Sequence, residues 1–194
     1  VEIVAEDPAL FDSLGSSKET KLFHKLKSFV FPFHKVSVVV PVFNGATTAA
    51  TALRSLRSQT WANLEIIVID DCSTDNSFEQ LKVLSEQDAR ISVFRNDINR
   101  GAYYTRNRGL HLATGKFVTV MDADDWAHPQ KIEKQVWPLI WKRNLAATVS
   151  HWARCNNSLE FTRLRPQNGW VHRNVSSLMV HRQIAIDLGG WDVV

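Results

Sequence analysis

From Val36 onward the chain alternates nearly unbroken apolar runs of strand length with segments of helical periodicity. VSVVVPVF, LEIIVID, ISVFR and KFVTVMD are the four runs. This alternation constrains the fold more than any other feature. A strand that is apolar on both sides must be covered on both faces, and repeated strand–helix units build a mainly parallel sheet flanked by helices. Helices are expected over residues 47–59, 76–86 and 102–113, with Ser73 or Asp75 able to cap the second and Gly115 suited to stopping the third. Pro129 is expected to open a helix running to about residue 143, followed by the strand ATVSHW. SSLMVHR reads as a strand entering a short helix that ends at Gly189 and Gly190.

A length of 194 residues suits one α/β domain, and the 44% hydrophobic and 22% charged content is that of an ordinary globular protein, suggesting neither disorder nor a membrane-embedded class. The net charge of +3 fits an anionic ligand or a membrane surface but falls short of a nucleic-acid-binding signature, so no nucleic-acid partner is expected. Cys72 and Cys155 stand far apart, which offers no disulfide framework and points to a reducing, cytoplasmic setting. No apolar stretch reaches the roughly 20 residues a spanning helix needs. Residues 1–35 read as a linker or appendage. Within them Leu22, Phe23, Leu26 and Phe29 recur at helical spacing among lysines, so an amphipathic helix is expected there, either packed on the domain or giving residues 18–35 peripheral contact with the inner face of a membrane. Residues 36–194 read as the main domain, divided near residue 125. The Val1 start and the stop after Gly-Gly-Trp-Asp suggest a piece of a longer polypeptide with further domains.

In open α/β sheets ligands bind beyond the carboxyl ends of the strands, where strand order reverses. Four polar clusters fall there: Pro41, Val42, Phe43 and Asn44; Asp70 and Asp71; Asn99, Arg100 and Gly101; and Asp122, Asp124 and Asp125. Singly, each acid pair is as well explained by a turn or a helix cap. Their joint order at one sheet edge is the signal.

VSVVVPVFNG, LRSLRSQTWANLEIIVIDDCSTDNS and NRGAYYTRNRGLHLATGKFVTVMDADDW together resemble the nucleotide-binding half of family-two glycosyltransferases, in motif, order and spacing. The resemblance is close over residues 36–142 and looser to Asp192. It implies a GT-A fold, Rossmann-like, with a mainly parallel central sheet, and an inverting, metal-dependent enzyme that moves a sugar from a nucleotide donor, a UDP-sugar, to a saccharide or glycolipid acceptor in cell-surface polysaccharide or glycolipid synthesis. Carried over by position, it makes Pro41 and Phe43 the wall for the base, with Asn44 beside them, and Asp71 the acceptor for the base N–H, chemistry that suits an ionised carboxylate. Asp70 is then structural. Gly101 lets backbone approach the ligand, and Asn99 with the Arg106-Asn107-Arg108 run supplies donors, Arg106 favoured over Arg108. Asp122 and Asp124 resemble the D-x-D pair, Asp124 being the direct ligand of Mn²⁺ or Mg²⁺, hard cations that match oxygen donors. The base that activates the acceptor is Asp192 or an acid beyond Val194.

Other features are read more plainly. His151 and Cys155 have metal spacing, yet two ligands on a strand make no zinc site. His172 and His181 read as core or surface histidines, and Trp137 with Trp141 as a core stripe. Trp126, Trp170 and Trp191 stand as sugar-contact candidates. Two rivals remain in view. A nucleotide-sugar-binding module without catalysis would lack an acid after the Gly-Gly-Trp-Asp segment, and a nucleotidyltransferase would want a basic, glycine-rich loop where FNGATTAATAL stands.

Overall fold

A computed structural model describes residues 2–4, 34–142, 144–155, 160–162, 169 and 171–191. In chain order the elements are β1 (Glu2–Val4), β2 (Val36–Val42), α1 (Ala49–Arg57), β3 (Leu64–Asp70), α2 (Ser77–Glu86), β4 (Ile91–Arg95) and α3 (Gly101–Leu112). β5 (Phe117–Val120), β6 (Asp125–Ala127), α4 (Lys131–Trp141), β7 (Ala147–Arg154), β8 (His172–His181) and α5 (Arg182–Asp187) follow. Among the described residues the strands form one eight-stranded sheet in the order β4-β3-β2-β5-β8-β7-β1-β6. β4, β3, β2 and β5 are mutually parallel, β8 is antiparallel to both β5 and β7, and β1 runs parallel to β7 and antiparallel to β6.

Of the parallel strands, β2, β3 and β5 are buried as their composition requires, while β4 at the sheet edge is only partly so. Val36, Val38, Val40, Ile66 and Val68 join α1 residues Ala52, Leu53 and Leu56 and the fully buried Trp61 in the larger core. Val39, Leu110, Val118 and Val120 form a second cluster on the opposite face. Helix α3 lies so close to β2 there that a Cβ on Gly109 would stand 2.3 Å from Val39 Cγ1, so only glycine fits.

At the amino end of the strands Glu65 acts as a clamp. Its carboxylate accepts from Lys35 Nζ at 2.7 Å, from the Thr114 N–H at 2.6 Å and from the Gly115 N–H at 3.0 Å. Burial opposes its charge, but these bonds, with those from the Ser37 and Thr114 hydroxyls, hold its pKa at about 2. The turn from α3 into β5 is thereby fixed to β2 and β3.

Two expectations need correction. Residues 1–35 are not wholly an appendage, because Glu2–Val4 is a strand within the sheet. Helix α4 starts at Lys131 rather than Pro129, whose carbonyl instead accepts from the Thr60 N–H at 2.8 Å. Apart from His34 and Lys35, the amphipathic segment 18–35 lies outside the described residues. No helix among the described residues is long and apolar enough to cross a membrane.

Candidate functional site

From β2 the chain steps outward to β3 and β4, then crosses back to β5 on the other side of β2. That reversal parts the loops above β2 and β5, the place where an α/β sheet takes a ligand. A cleft of about 710 Å³ opens there.

Its first wall comes from β2 and the loop beyond it. Pro41 and Asn44 line the cleft with Phe43, whose ring is 52% exposed. Asn44 adopts φ 51°, a left-handed conformation that asparagine tolerates. Its N–H donates to Ser73 Oγ at 2.9 Å, and its Oδ1 accepts from the Thr74 N–H at 2.9 Å. Asp75 continues the lacing, accepting from the N–H groups of Ala46 at 3.1 Å and Ser77 at 3.0 Å, and so ties the loop after β2 to the first residue of α2, whose N-cap is Asn76. Although burial opposes it, these bonds and that of the Ser77 hydroxyl keep the Asp75 carboxyl below its ordinary pKa.

The paired acids at the end of β3 have separate tasks. Asp70 is fully buried, accepting from Arg95 Nε at 3.1 Å and the Ser73 N–H at 3.2 Å, and is structural. Asp71 lines the cleft and braces its second wall. Its Oδ1 accepts from Asn96 Nδ2 at 2.6 Å and the Arg100 N–H at 3.0 Å, and its Oδ2 from the Gly101 N–H at 2.7 Å. A carboxylate has about four acceptor positions, so Asp71 can hold the loop after β4 and still accept from a ligand. Gly101, at φ 81°, makes the turn into α3 that a side chain would strain, and Asn99 Oδ1 also accepts its N–H, at 3.2 Å.

The third wall carries Asp122, Ala123 and Asp124 past the end of β5. Asp122 accepts from an Arg106 terminal nitrogen at 2.7 Å. Arg106 is not among the residues lining the cleft; its guanidinium lies behind Asp122, against the Tyr103 ring at 5.3 Å. Expected to donate to a ligand, it instead holds the first acid of the pair. Asp124 is exposed, and among the described residues no hydrogen bond or ion pair engages it. The two carboxylates have different freedom, one tethered and one available.

Several candidates fall elsewhere. Arg108 donates to the Arg95 carbonyl at 2.6 Å and to Asn96 Oδ1 at 2.6 Å, bracing the end of β4. Asn107 binds the backbone of Trp191, a partnership sequence reasoning missed. Trp126, within β6, is 5% exposed, and Trp191 packs beside the second core cluster, so neither offers an open sugar platform. Trp137 packs on the larger core, but Trp141 is 69% exposed and stacks on Trp137, which corrects half of the expected stripe. His172 is buried against Trp152; His181 packs on Phe117 at the end of the sheet away from the cleft, and burial with the charge of Lys116 lowers its pKa. His151 is exposed and Cys155 buried, with the thiol pushed up by burial. Asp192 and Trp170 lie outside the described residues.

Among the described residues no group of three or more acids, histidines or cysteines could hold a metal ion alone. Asp122 and Asp124 could supply two hard oxygen ligands to a cation whose remaining positions were filled by a ligand's own oxygens and water. The donor set therefore fits Mg²⁺ or Mn²⁺ brought in with a diphosphate.

A sheet covered on both faces, parallel from β4 to β5, with an acid-lined cleft at its switch point, defines an open α/β domain with a ligand site at its strand ends. Solved structures share it. A mannosyltransferase from Pyrobaculum calidifontis, in complex with GDP-Man and Mn²⁺, superposes over 95% of this chain and 58% of its own with a TM-score of 0.64 at 19% identity. TarS of S. aureus in complex with UDP covers 81% of this chain and 49% of its own with a TM-score of 0.62 at 20% identity. At such identities the likeness shows the GT-A fold alone. The chain belongs to glycosyl transferase family 2, whose family model matches residues 37–187. Among curated relatives, the UDP-Glc:alpha-D-GlcNAc-diphosphoundecaprenol beta-1,3-glucosyltransferase WfgD of Escherichia coli is 34% identical over 123 residues, 63% of this chain and 47% of WfgD. The chain matches less than half the length of these curated relatives.

Proposed function

We propose that this chain holds the donor site of a glycosyltransferase that takes a UDP-sugar with Mn²⁺ or Mg²⁺ and transfers the sugar, with inversion, to a saccharide or glycolipid acceptor in cell-surface polysaccharide or glycolipid synthesis. One observation carries the reading: the 710 Å³ cleft brings together the exposed Phe43 ring, the Asp71 carboxylate and the unengaged Asp124 carboxylate. Pro41 and Phe43 present an apolar face to a base, and Asp71 accepts its imide N–H. Asn44 and Asn99 face the ribose. The Gly101 turn lets the nucleotide approach backbone without a Cβ in the way. A bound divalent cation would neutralise charge on the departing diphosphate. Asp124 would ligate it directly, while Arg106 keeps Asp122 oriented for the second contact. Residues 36–125 then serve the donor and those from 126 onward begin the acceptor side, with Asp192 or a later acid as the base. Segment 18–35 is proposed to touch the inner membrane surface. The activity for which WfgD is named, a UDP-glucose transfer to a lipid-linked sugar, supports the donor and acceptor classes, and the Mn²⁺ in the mannosyltransferase structure supports the cation.

The test is release of UDP from UDP-glucose and UDP-N-acetylglucosamine, with Mn²⁺ or with EDTA, in the presence of lipid-linked acceptors. Metal-dependent release supports the enzyme. Tight UDP binding with no release by the full gene product supports the non-catalytic module instead.

A further inference from the structure

Asp124, the residue proposed to meet the cation, sits on a turn and not on a strand. The Asp125 N–H donates to the Asp122 carbonyl at 3.1 Å, closing the turn between β5 and β6, and among the described residues no hydrogen bond or ion pair engages the Asp124 side chain. The place of its carboxylate is therefore set by the backbone that carries it. Upstream that backbone is fixed by the Met121 N–H, which donates to the Val39 carbonyl at 3.0 Å. Downstream, β6 pairs with β1 and is also gripped from α1, where Ser55 Oγ accepts the Ala127 N–H at 3.1 Å.

One buried carboxamide completes the downstream hold. Gln59, just past the end of α1, is 7% exposed. Its Nε2 donates to the His128 carbonyl at 2.9 Å and to the Ser55 carbonyl at 3.2 Å, with the Ala127 carbonyl at 3.4 Å sharing the donation. Its Oε1 accepts the Ile132 N–H at 3.1 Å. Ile132 stands in the first turn of α4, where an N–H has no partner within the helix, and Gln130 at the cap position makes no side-chain bond to supply one. Gln59 is thus a cap delivered from another element. The same amide joins the end of α1, the end of β6 and the start of α4, which takes donor and acceptor on one stem. Thr60 adds to the joint: its N–H donates to the Pro129 carbonyl at 2.8 Å and its hydroxyl to Glu133 Oε2 at 2.8 Å.

We propose that Gln59 is a positioning residue for the cation: by holding the exit of the turn at Ala127 and His128, it keeps Asp124 where its carboxylate can meet an ion together with Asp122. The inference rests on reading the cleft as the donor site. Gln59 is not among the residues lining the cleft, so it acts through the backbone and not by contact with nucleotide or ion.

The experiment compares the unaltered protein with Gln59→Met, Gln59→Ala and, as a control, Glu65→Gln, which loosens the opposite end of the strands. Amide hydrogen exchange is read without ligand, and UDP titrations are run in EDTA and over a Mn²⁺ series, below every melting temperature. Methionine keeps the length of the side chain but removes its donor and acceptor, so the Ile132 amide should exchange at least about tenfold faster, the worth of one ordinary hydrogen bond. The Mn²⁺ concentration giving half of the full gain in UDP affinity should rise about tenfold, the lower end of the range for residues that orient a metal ligand. The UDP Kd in EDTA should stay within about twofold. Gln59→Ala leaves room for water to take the freed polar groups; it should shift the Mn²⁺ requirement in the same direction, and it carries the comparison if the methionine variant does not fold. Glu65→Gln should melt lower with the Mn²⁺ requirement and the Ile132 exchange rate unmoved. An unchanged Ile132 exchange rate or Mn²⁺ requirement in the Gln59 variants, a UDP Kd in EDTA that weakens in step, or an equal rise in Glu65→Gln overturns the inference. Failure of UDP binding by the unaltered protein to respond to Mn²⁺ refutes the donor-site reading instead, before any variant is compared, so the two failures are separable.

Discussion

Replacing Asp71 by asparagine tests the bracing of the second wall. The carboxylate accepts from Asn96 Nδ2, the Arg100 N–H and the Gly101 N–H, all within 3.0 Å. If the new amide oxygen keeps the first two bonds, its NH₂ group meets the Gly101 N–H where that bond was 2.7 Å, donor against donor. The opposite flip turns the NH₂ toward Asn96 and Arg100. Either way at least one charge-assisted bond is lost, and such bonds contribute about 1.5–3 kcal/mol each. A loss of about 2–3 kcal/mol should lower the melting temperature by about 4–12 °C in a domain of this size. UDP affinity should also fall about tenfold, with or without Mn²⁺, because the base loses its acceptor and the wall its brace. Calorimetry and UDP titration at neutral pH read both. A melting temperature within about 1 °C of the unaltered protein, with unchanged UDP affinity, would refute the reasoning.

Further outcomes follow from single sites. Glu65, whose folded pKa is depressed to about 2 from 4.5, contributes stability that is fully present above pH 4.5 and lost as pH falls toward 2. Urea unfolding should show about 2 kcal/mol less stability at pH 3 than at pH 6 from this group, and Glu65→Gln should remove that component. Gly109→Ala forces a Cβ to 2.3 Å from Val39 Cγ1 and should cost about 1–3 kcal/mol or more, read as a lowered urea midpoint. Phe43→Ala removes an exposed ring, so the melting temperature should hold while UDP binding weakens by about 1–3 kcal/mol.

Much of this was legible before any coordinates. β2, β3 and β5 are apolar on both faces and could be little else than central parallel strands, and the polar residues at their ends meet in one cleft. What escaped has physical causes. Glu2–Val4 and Asp125–Ala127 are three-residue strands, too short to show a period, so the N-terminal strand and the burial of Trp126 gave no signal. Trp137 and Trp141 share a helical face by spacing, but α4 ends at Trp141 and Lys142 turns extended, which carries the second ring past the core. Arg106 carries donors suited to phosphate, and spacing could not tell that Asp122 would take one first. The pairing of Asn107 with Trp191 spans 84 residues and has no local pattern, although the adjacent glycines at 189 and 190 marked a turn with a spatial reason.

The central claim is that this cleft binds a nucleoside diphosphate through a cation held by Asp124. The most direct measurement is the thermal shift of the unaltered protein and of Asp124→Ala with UDP, alone and with Mn²⁺. A ligand bound only by the native state at a hundredfold excess over its Kd adds about 2.7 kcal/mol, so UDP with Mn²⁺ should raise the melting temperature of the unaltered protein visibly. Asp124 is exposed and unengaged among the described residues, so Asp124→Ala should melt where the unaltered protein does without ligand and should lose the extra rise that Mn²⁺ brings. No shift with any nucleoside diphosphate, or an Asp124→Ala protein that unfolds yet keeps its full response to Mn²⁺, would contradict the account.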